Sequence, residues 1–243
     1  MHTSIPVSLQ VEKRRLPTNN KLFTRKKGRF YFIDDKRYVS VTSILDVINK
    51  PQLITWAARQ AAEIALAELG RSSIERVVSE VFKKKETAAD KGTLVHDYIK
   101  DINERADFSL GSNVDPNLQG YIKAFMTYRE SVNPETLFFE QECFSEEHEY
   151  AGTADWVIRL PNKSVWLIDF KTGAIYREAG LQMVAYKVAL EEMSRRKLIP
   201  ELKIDHTAVL QLSSDGTFNQ RIFDEPFATF LACKQLWSWC NLA

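Results

Sequence analysis

The stretch AGTADWVIRLPNKSVWLIDFK, from Ala151 to Lys171, constrains the fold more tightly than any other part of the chain. Two apolar runs flank Pro161-Asn162-Lys163, a turn composition, so the stretch reads as a β-hairpin. A three-residue loop there sets the register: Leu160 faces Ser164, and Asp155 falls opposite Asp169. Directly opposed side chains have Cβ atoms about 4.5–5.5 Å apart. Asp169 and Lys171 project from one face of their strand, roughly 7 Å apart along it. Two carboxylates that near, among Trp156, Ile158, Leu167, Ile168 and Phe170, repel each other in a poorly hydrated place. Either one takes a proton or a cation sits between them. A hard divalent cation with oxygen ligands, Mg²⁺ or Mn²⁺, suits such a site. The competing structural reading makes Asp169 and Lys171 a strand-end ion pair and Asp155 a turn residue.

Composition narrows the function classes around that hairpin. A chain of 243 residues fits one sizeable domain with appended elements, or at most two small ones. No apolar run reaches the roughly 18 residues of a membrane span. The opening MHTSIPVSLQVEKRR has no apolar core of signal-peptide length, so a cytoplasmic, intracellular location is expected. Three scattered cysteines, Cys143, Cys233 and Cys240, make no disulfide framework and no C-x-x-C zinc pair, which points to a reducing compartment. The net charge of +1 confines any nucleic-acid binding to local basic patches. No G-x-x-x-x-G-K-[ST] sequence is present, so the chain has no P-loop motor.

In chain order, residues 1–20 read as a flexible basic arm and 21–243 as one domain, divided into a hairpin and helical part (21–132) and an αβ core (133–243). Lys21, Arg25, Lys26, Lys27 and Arg29, interleaved with Phe23, Phe30 and Tyr31, form a cluster able to hold phosphates and stack bases. A short hairpin follows, with Arg29–Ile33 and Arg37–Val39 joined by a turn at Asp34-Asp35-Lys36. Thr42 or Ser43 caps a helix running to about Asn49. Leu53–Leu69 forms a second helix ended by Gly70, and Ser72 or Ser73 caps a third carrying Ile74, Val77, Val78 and Val81. After the Lys83-Lys84-Lys85 run, a separate helix carries Leu94, Val95, Tyr98, Ile99 and Ile102. Gly111–Pro116 is a loop and Asn117–Val132 another helix. Strands are expected at 137–145, 150–160 and 164–171, and then a helix over about 178–195. Strands near 204–212 and 217–223 meet at Ser214-Asp215-Gly216. A last helix, Pro226–Cys240, places Phe227, Phe230, Leu231, Leu236 and Trp237 in the core.

Four further features bear on the hairpin. Glu140 and Glu142 alternate with apolar residues in LFFEQECF, and a Glu on a strand beside Asp155 adds a third carboxylate. His96 lies off the apolar stripe of its helix. Gln182 and Tyr186, four apart, share a helix face whose start lies near the end of the Lys171 strand. Lys171-Thr172-Gly173 ends that strand with a residue that permits a sharp turn.

The ordered set of His96 in KGTLVH, Glu140 in FEQECF, GTAD ending at Asp155, DFKTG from Asp169 to Gly173, and Gln182-x-x-x-Tyr186 resembles the PD-(D/E)XK nuclease superfamily, specifically its RecB-like group of DNA exonucleases. The resemblance covers about residues 38 to 190. It implies an α/β (α+β) fold with a restriction-endonuclease-like core, a mixed central β-sheet flanked by helices, and an N-terminal helical region. It also implies roles. Asp155 and Asp169 would bind Mg²⁺ or Mn²⁺, with the Phe170 carbonyl as a further ligand. Lys171 would act on the attacking water or stabilise developing charge. His96 would be an additional ligand, and Glu140 would hold the metal or a water on it. Gln182 and Tyr186 would contact the substrate backbone or fix the site, with Thr172 beside them. The implied partner is linear DNA at its ends, acted on in repair, recombination or replication, and homo-oligomers or a replication or recombination partner fit the same group. A structure- or site-specific endonuclease of the same fold and a non-catalytic DNA-binding module are the alternatives. Some relatives hold an iron–sulfur cluster on four cysteines. This chain has three, none before residue 143, so no cluster is expected.

Overall fold

Pro161-Asn162-Lys163 reverses the chain as its composition dictates. The Leu160 N–H donates to the Ser164 carbonyl at 2.9 Å, and the Lys163 N–H donates to the Leu160 carbonyl at 2.8 Å. Asn162 Oδ1 accepts from the Ser164 N–H at 3.0 Å, and Lys163 takes a left-handed φ of 72°. The computed structural model describes residues 30–33, 36–68, 71, 73–105 and 114–241. The basic cluster at 21–29, Gly70, Ser72 and the start of the expected 111–116 loop lie outside them.

In chain order the elements are β1 (Phe30–Ile33), β2 (Lys36–Ser40), α1 (Val41–Leu45), α2 (Pro51–Ala67), α3 (Ile74–Arg105), α4 (Pro116–Val132), β3 (Glu135–Ser145), β4 (Tyr150–Arg159), β5 (Val165–Lys171), α5 (Glu178–Arg195), β6 (His206–Leu212), β7 (Phe218–Phe223) and α6 (Phe227–Cys240). The seven strands form one mixed sheet in the order β1-β2-β4-β5-β6-β7, with β3 paired to β4. β4 runs antiparallel to β3 and β5 and parallel to β2, while β5 and β6 are parallel and joined by the α5 crossover. The expected α/β fold with a mixed central sheet flanked by helices is therefore present.

Alternation along β5 separates two cores. Val165 and Leu167 join a cluster with Tyr186, Ala189 and Met193 of α5 and Phe230 of α6. Ile168 and Phe170 face the other way, into a cluster with Val95 and Ile99 of α3 and Ile122 and Phe125 of α4. Gly120 of α4 makes the second layer close: a Cβ there would lie 1.8 Å from the Ser214 carbonyl oxygen, so no larger residue fits under the β6–β7 turn. Among the described residues, no helix is long and apolar enough to cross a membrane.

Several sequence expectations need correction. The two helices expected around the lysine run are one, α3, of 32 residues. KKKETAAD contains good helix formers and no Gly or Pro, so a charged stretch that reads as a break continues the helix. The cap of α1 is Ser40, whose Oγ accepts from the Ser43 N–H at 3.1 Å, two residues before Thr42 and three before Ser43. That helix ends at Leu45, short of Asn49. Lys36 starts β2 rather than closing the turn. On α6, Phe230 is buried, but Leu236 is 46% exposed and outside the core.

Candidate metal centre

A fork in the sheet creates the site. One edge of β4 is paired with β3 along its length. On its other edge, β2 pairs with Tyr150 and Ala151, and β5 pairs with Trp156 to Arg159. Residues 152–155 lie between the two partners. Asp155 uses the gap: its Oδ2 accepts the Phe170 backbone N–H at 2.8 Å, replacing the ladder bond that a regular pair would make. The register Trp156↔Ile168, carried one step further, puts Asp155 opposite Asp169, as the hairpin loop requires.

On the β3 side, Phe139 pairs with Trp156 and Gln141 with Ala154, so Glu140 stands opposite Asp155. Glu140, Asp155 and Asp169 thus form one row across three strands. Glu140 has a φ of 48°, a conformation that costs a non-glycine residue roughly 1–2 kcal/mol and is held where the surroundings determine it. Nothing in the stretch LFFEQECF marks this backbone conformation at Glu140.

Helices reach the fork from both faces. From α3, His96 Nε2 lies 3.0 Å from the Phe170 carbonyl, and Nδ1 lies 3.6 Å from Asp155 Oδ2 and 3.9 Å from Glu140 Oε1. With Nε2–H donating to the carbonyl, Nδ1 is the nitrogen presented to the carboxylates. From α5, Gln182 Nε2 donates to Asp169 Oδ1 at 2.8 Å and contacts the Tyr186 hydroxyl at 3.3 Å. Tyr186 is 4% exposed, so its ring is buried beneath Gln182. Gly152 permits the arrangement, since a Cβ there would meet Tyr186 Cε1 at 2.3 Å. Lys171 Nζ reaches Asp169 Oδ2 at 2.6 Å. Thr172 lies against α3, its Oγ1 3.4 Å from where a Gly92 Cβ would be.

The Phe170 backbone serves the site twice, donating to Asp155 and accepting from His96. Its ring is clamped by Phe125 at 5.6 Å, Trp156 at 5.7 Å and Phe139 at 6.1 Å, and by the edge of His96 at 5.7 Å. The aromatic packing thereby fixes the peptide that orients both ligands. A carbonyl oxygen has two lone pairs, so the contact with His96 leaves one free for the role expected of Phe170.

Charge in the site is unbalanced. Burial and repulsion from Asp169 push the Asp155 carboxyl up to about 7. Burial opposes charge on His96, but Asp155, Glu140 and Asp169 outweigh it and raise the imidazole to about 9. Burial likewise opposes charge on Lys171, yet Asp169 and Asp155 hold it above its ordinary value. Without a further cation, the cluster retains protons.

The residues fit a divalent metal. His96, Glu140 and Asp155 offer one ligand atom each, all within 4.8 Å of one another. Asp169 Oδ2 is buried and has no aligned hydrogen-bond donor, although the Lys171 ammonium is near it. A carboxylate set with one imidazole suits Mn²⁺ as well as Mg²⁺.

No family model matches the chain, and no curated protein matches it. Among solved structures, it is similar to that of SSO0001, at 14% identity and a TM-score of 0.38, over 84% of this chain and 77% of that one. At that identity and score the likeness assigns no function.

Proposed function

We propose that this chain is a Mg²⁺- or Mn²⁺-dependent deoxyribonuclease of the PD-(D/E)XK type, and that it works as a RecB-like exonuclease on DNA ends inside the cell. The observation that carries the reading is the row Glu140–Asp155–Asp169 across three strands, with His96 and Lys171 closing on it. A strand-end ion pair explains Asp169 and Lys171. It does not explain a left-handed Glu140 and an inward His96 on the same cluster.

Asp155, Asp169, Glu140 and His96 would hold the cation, with the Phe170 carbonyl beside them. Bound there, such an ion supplies Lewis-acid polarisation of a phosphoryl oxygen and a lowered pKa for water. Lys171 stays protonated, held above its ordinary value by two carboxylates, so it places a fixed positive charge where negative charge grows on the phosphate. Gln182 holds one Asp169 oxygen and leaves the other facing Lys171 and the site. The phenol of Tyr186 is pushed up by burial and stays neutral, so it supports Gln182 without adding charge.

The test is digestion of 5′- and 3′-labelled linear DNA, single- and double-stranded, beside a covalently closed circle, with Mg²⁺, Mn²⁺ or chelator. Mononucleotide or short-oligomer release from linear DNA with an intact circle supports the exonuclease. A cut circle selects the endonuclease alternative. Metal-independent retention of DNA without cleavage overturns both.

A further inference from the structure

Lys171 and Gln211 are the last pair in the parallel ladder of β5 and β6. Paired residues on neighbouring strands share a face. Two residues earlier, Asp169 and Val209 are paired, and both face α5, Asp169 through Gln182 and Val209 in the core. Gln211 therefore projects beside Lys171 on the side of the sheet that carries Asp169.

Gln211 holds the chain that leaves β5. Its Nε2 donates to the Gly173 carbonyl at 2.9 Å. On the other side, Thr172 lies against α3 at Gly92, one turn before His96. Among the described residues, no other hydrogen bond reaches the main chain of 173–175, and the N–H groups of Gly173, Ala174 and Ile175 have no acceptor. Gly173 and Ala174 are exposed, and a Cβ at Gly173 would meet nothing within 4 Å. Exposed N–H groups can rest on water, so their own bonding does not fix the course of this segment. Gln211 does. The segment also sits where open sheets with parallel strands bind ligands, outside the carboxyl ends of the strands. Backbone N–H groups are among the donors that proteins turn toward DNA phosphates.

We propose that Gln211 is a positioning residue of the nuclease: it holds Gly173–Ile175 so that their N–H groups receive a phosphate flanking the scissile one. This rests on the deoxyribonuclease reading above and adds to it the grip on the DNA backbone beside Lys171. Gln211 is outside the ligand set, so its loss separates DNA binding from metal binding.

Gln211→Met keeps the length of the side chain and removes the donor. With linear double-stranded DNA and Mn²⁺, KM should rise on the order of tenfold, the scale of one hydrogen bond, and kcat should stay within about threefold of the parent. Gln211→Glu, which only accepts, should raise KM at least as far. Mn²⁺ affinity, read by calorimetry, should be unchanged in both. Backbone ¹⁵N relaxation, which needs no cleavage, should show order parameters at 173–175 falling in Gln211→Met to below about 0.6. With a cleaving parent, an unchanged KM or full order retained at 173–175 overturns this inference alone. So does a loss of Mn²⁺ affinity in step with KM, which would make Gln211 a support of the metal ligands. A parent that cleaves no DNA overturns the nuclease reading and this inference together.

Discussion

Asp155 Oδ2 accepts the backbone N–H of Phe170 at 2.8 Å, so one carboxylate both bridges two strands and faces the cluster of ligands. The two jobs separate by substitution. Asp155→Asn keeps an acceptor for the N–H but removes the charge. We expect cleavage to fall at least a thousandfold and metal binding to be lost, while metal-free stability stays at or above the parent because repulsion from Asp169 is gone. Asp155→Ala also orphans a buried N–H, which costs about 1–3 kcal/mol. Denaturant melts of both variants, without metal, measure the difference; equal melts would show that the bridge contributes nothing.

Glu140 carries the clearest backbone strain near the site, at φ 48°. Glu140→Asn places there a residue that accepts the left-handed region more readily. Metal-free stability should rise by up to about 1 kcal/mol, and Mn²⁺ affinity, read by calorimetry, should drop at least tenfold. A variant that is both less stable and equally tight for metal would remove Glu140 from the ligand set.

Lys171 is expected to act on the substrate and not on the cation. Lys171→Met removes a positive charge that competes with metal for Asp169 and Asp155. Cleavage should fall by two to three orders of magnitude, the scale of one lost electrostatic stabiliser. Mn²⁺ should bind as tightly as before or tighter. A parallel loss of metal affinity would make Lys171 a structural partner only.

Much of this site was legible in the sequence, for physical reasons. A three-residue loop fixes an antiparallel register, and the register alone sets Asp155 against Asp169. Helical spacing alone puts Gln182 and Tyr186 together, and sharing a helix with Gln182 puts Tyr186 behind Asp169. The fork was not legible, because β2 reaches β4 from more than a hundred residues away through only two paired residues, Tyr150 and Ala151. Nor was the backbone of Glu140, since a left-handed non-glycine residue leaves no mark in composition. The continuity of α3 was misread because a lysine run resembles a solvated break, although every residue in it favours helix. The close approach at Gly152, where a Cβ would meet the Tyr186 ring, was not legible either.

That close approach makes a test at a distance. In Gly152→Ala the new Cβ would lie 2.3 Å from Tyr186 Cε1, so the ring must move and carry the Gln182 contact with it. Overpacking of this kind costs about 1–3 kcal/mol. Gln182→Ala leaves Asp169 Oδ1 without its donor and should reduce activity about 10–100-fold through misplaced ligand geometry. If both act on Asp169, the double variant loses clearly less than the product of the two single effects. Strict additivity in kcat would show that Tyr186 and Gln182 act separately.

Protons and metal compete for the same atoms, which gives a pH signature. The folded Asp155 value of about 7 lies above its ordinary 3.8, so its contribution to stability is present below that ordinary value and is lost as pH rises through about 7. His96, raised from 6.5 to about 9, contributes below its ordinary value and is lost as pH rises through the raised one. Both losses run the same way, that of Asp155 between 3.8 and about 7 and that of His96 between 6.5 and about 9, so the metal-free protein should melt progressively lower from about pH 4 to about 9. Metal binds the deprotonated ligands, so its apparent affinity should rise by about one log unit per pH unit where one proton is displaced, and more steeply below about 7. Melting curves with chelator and with saturating Mn²⁺ should therefore diverge as pH rises. A metal-induced shift in melting temperature that is the same at pH 6 and at pH 8.5 would show that the cation binds elsewhere than on Asp155 and His96.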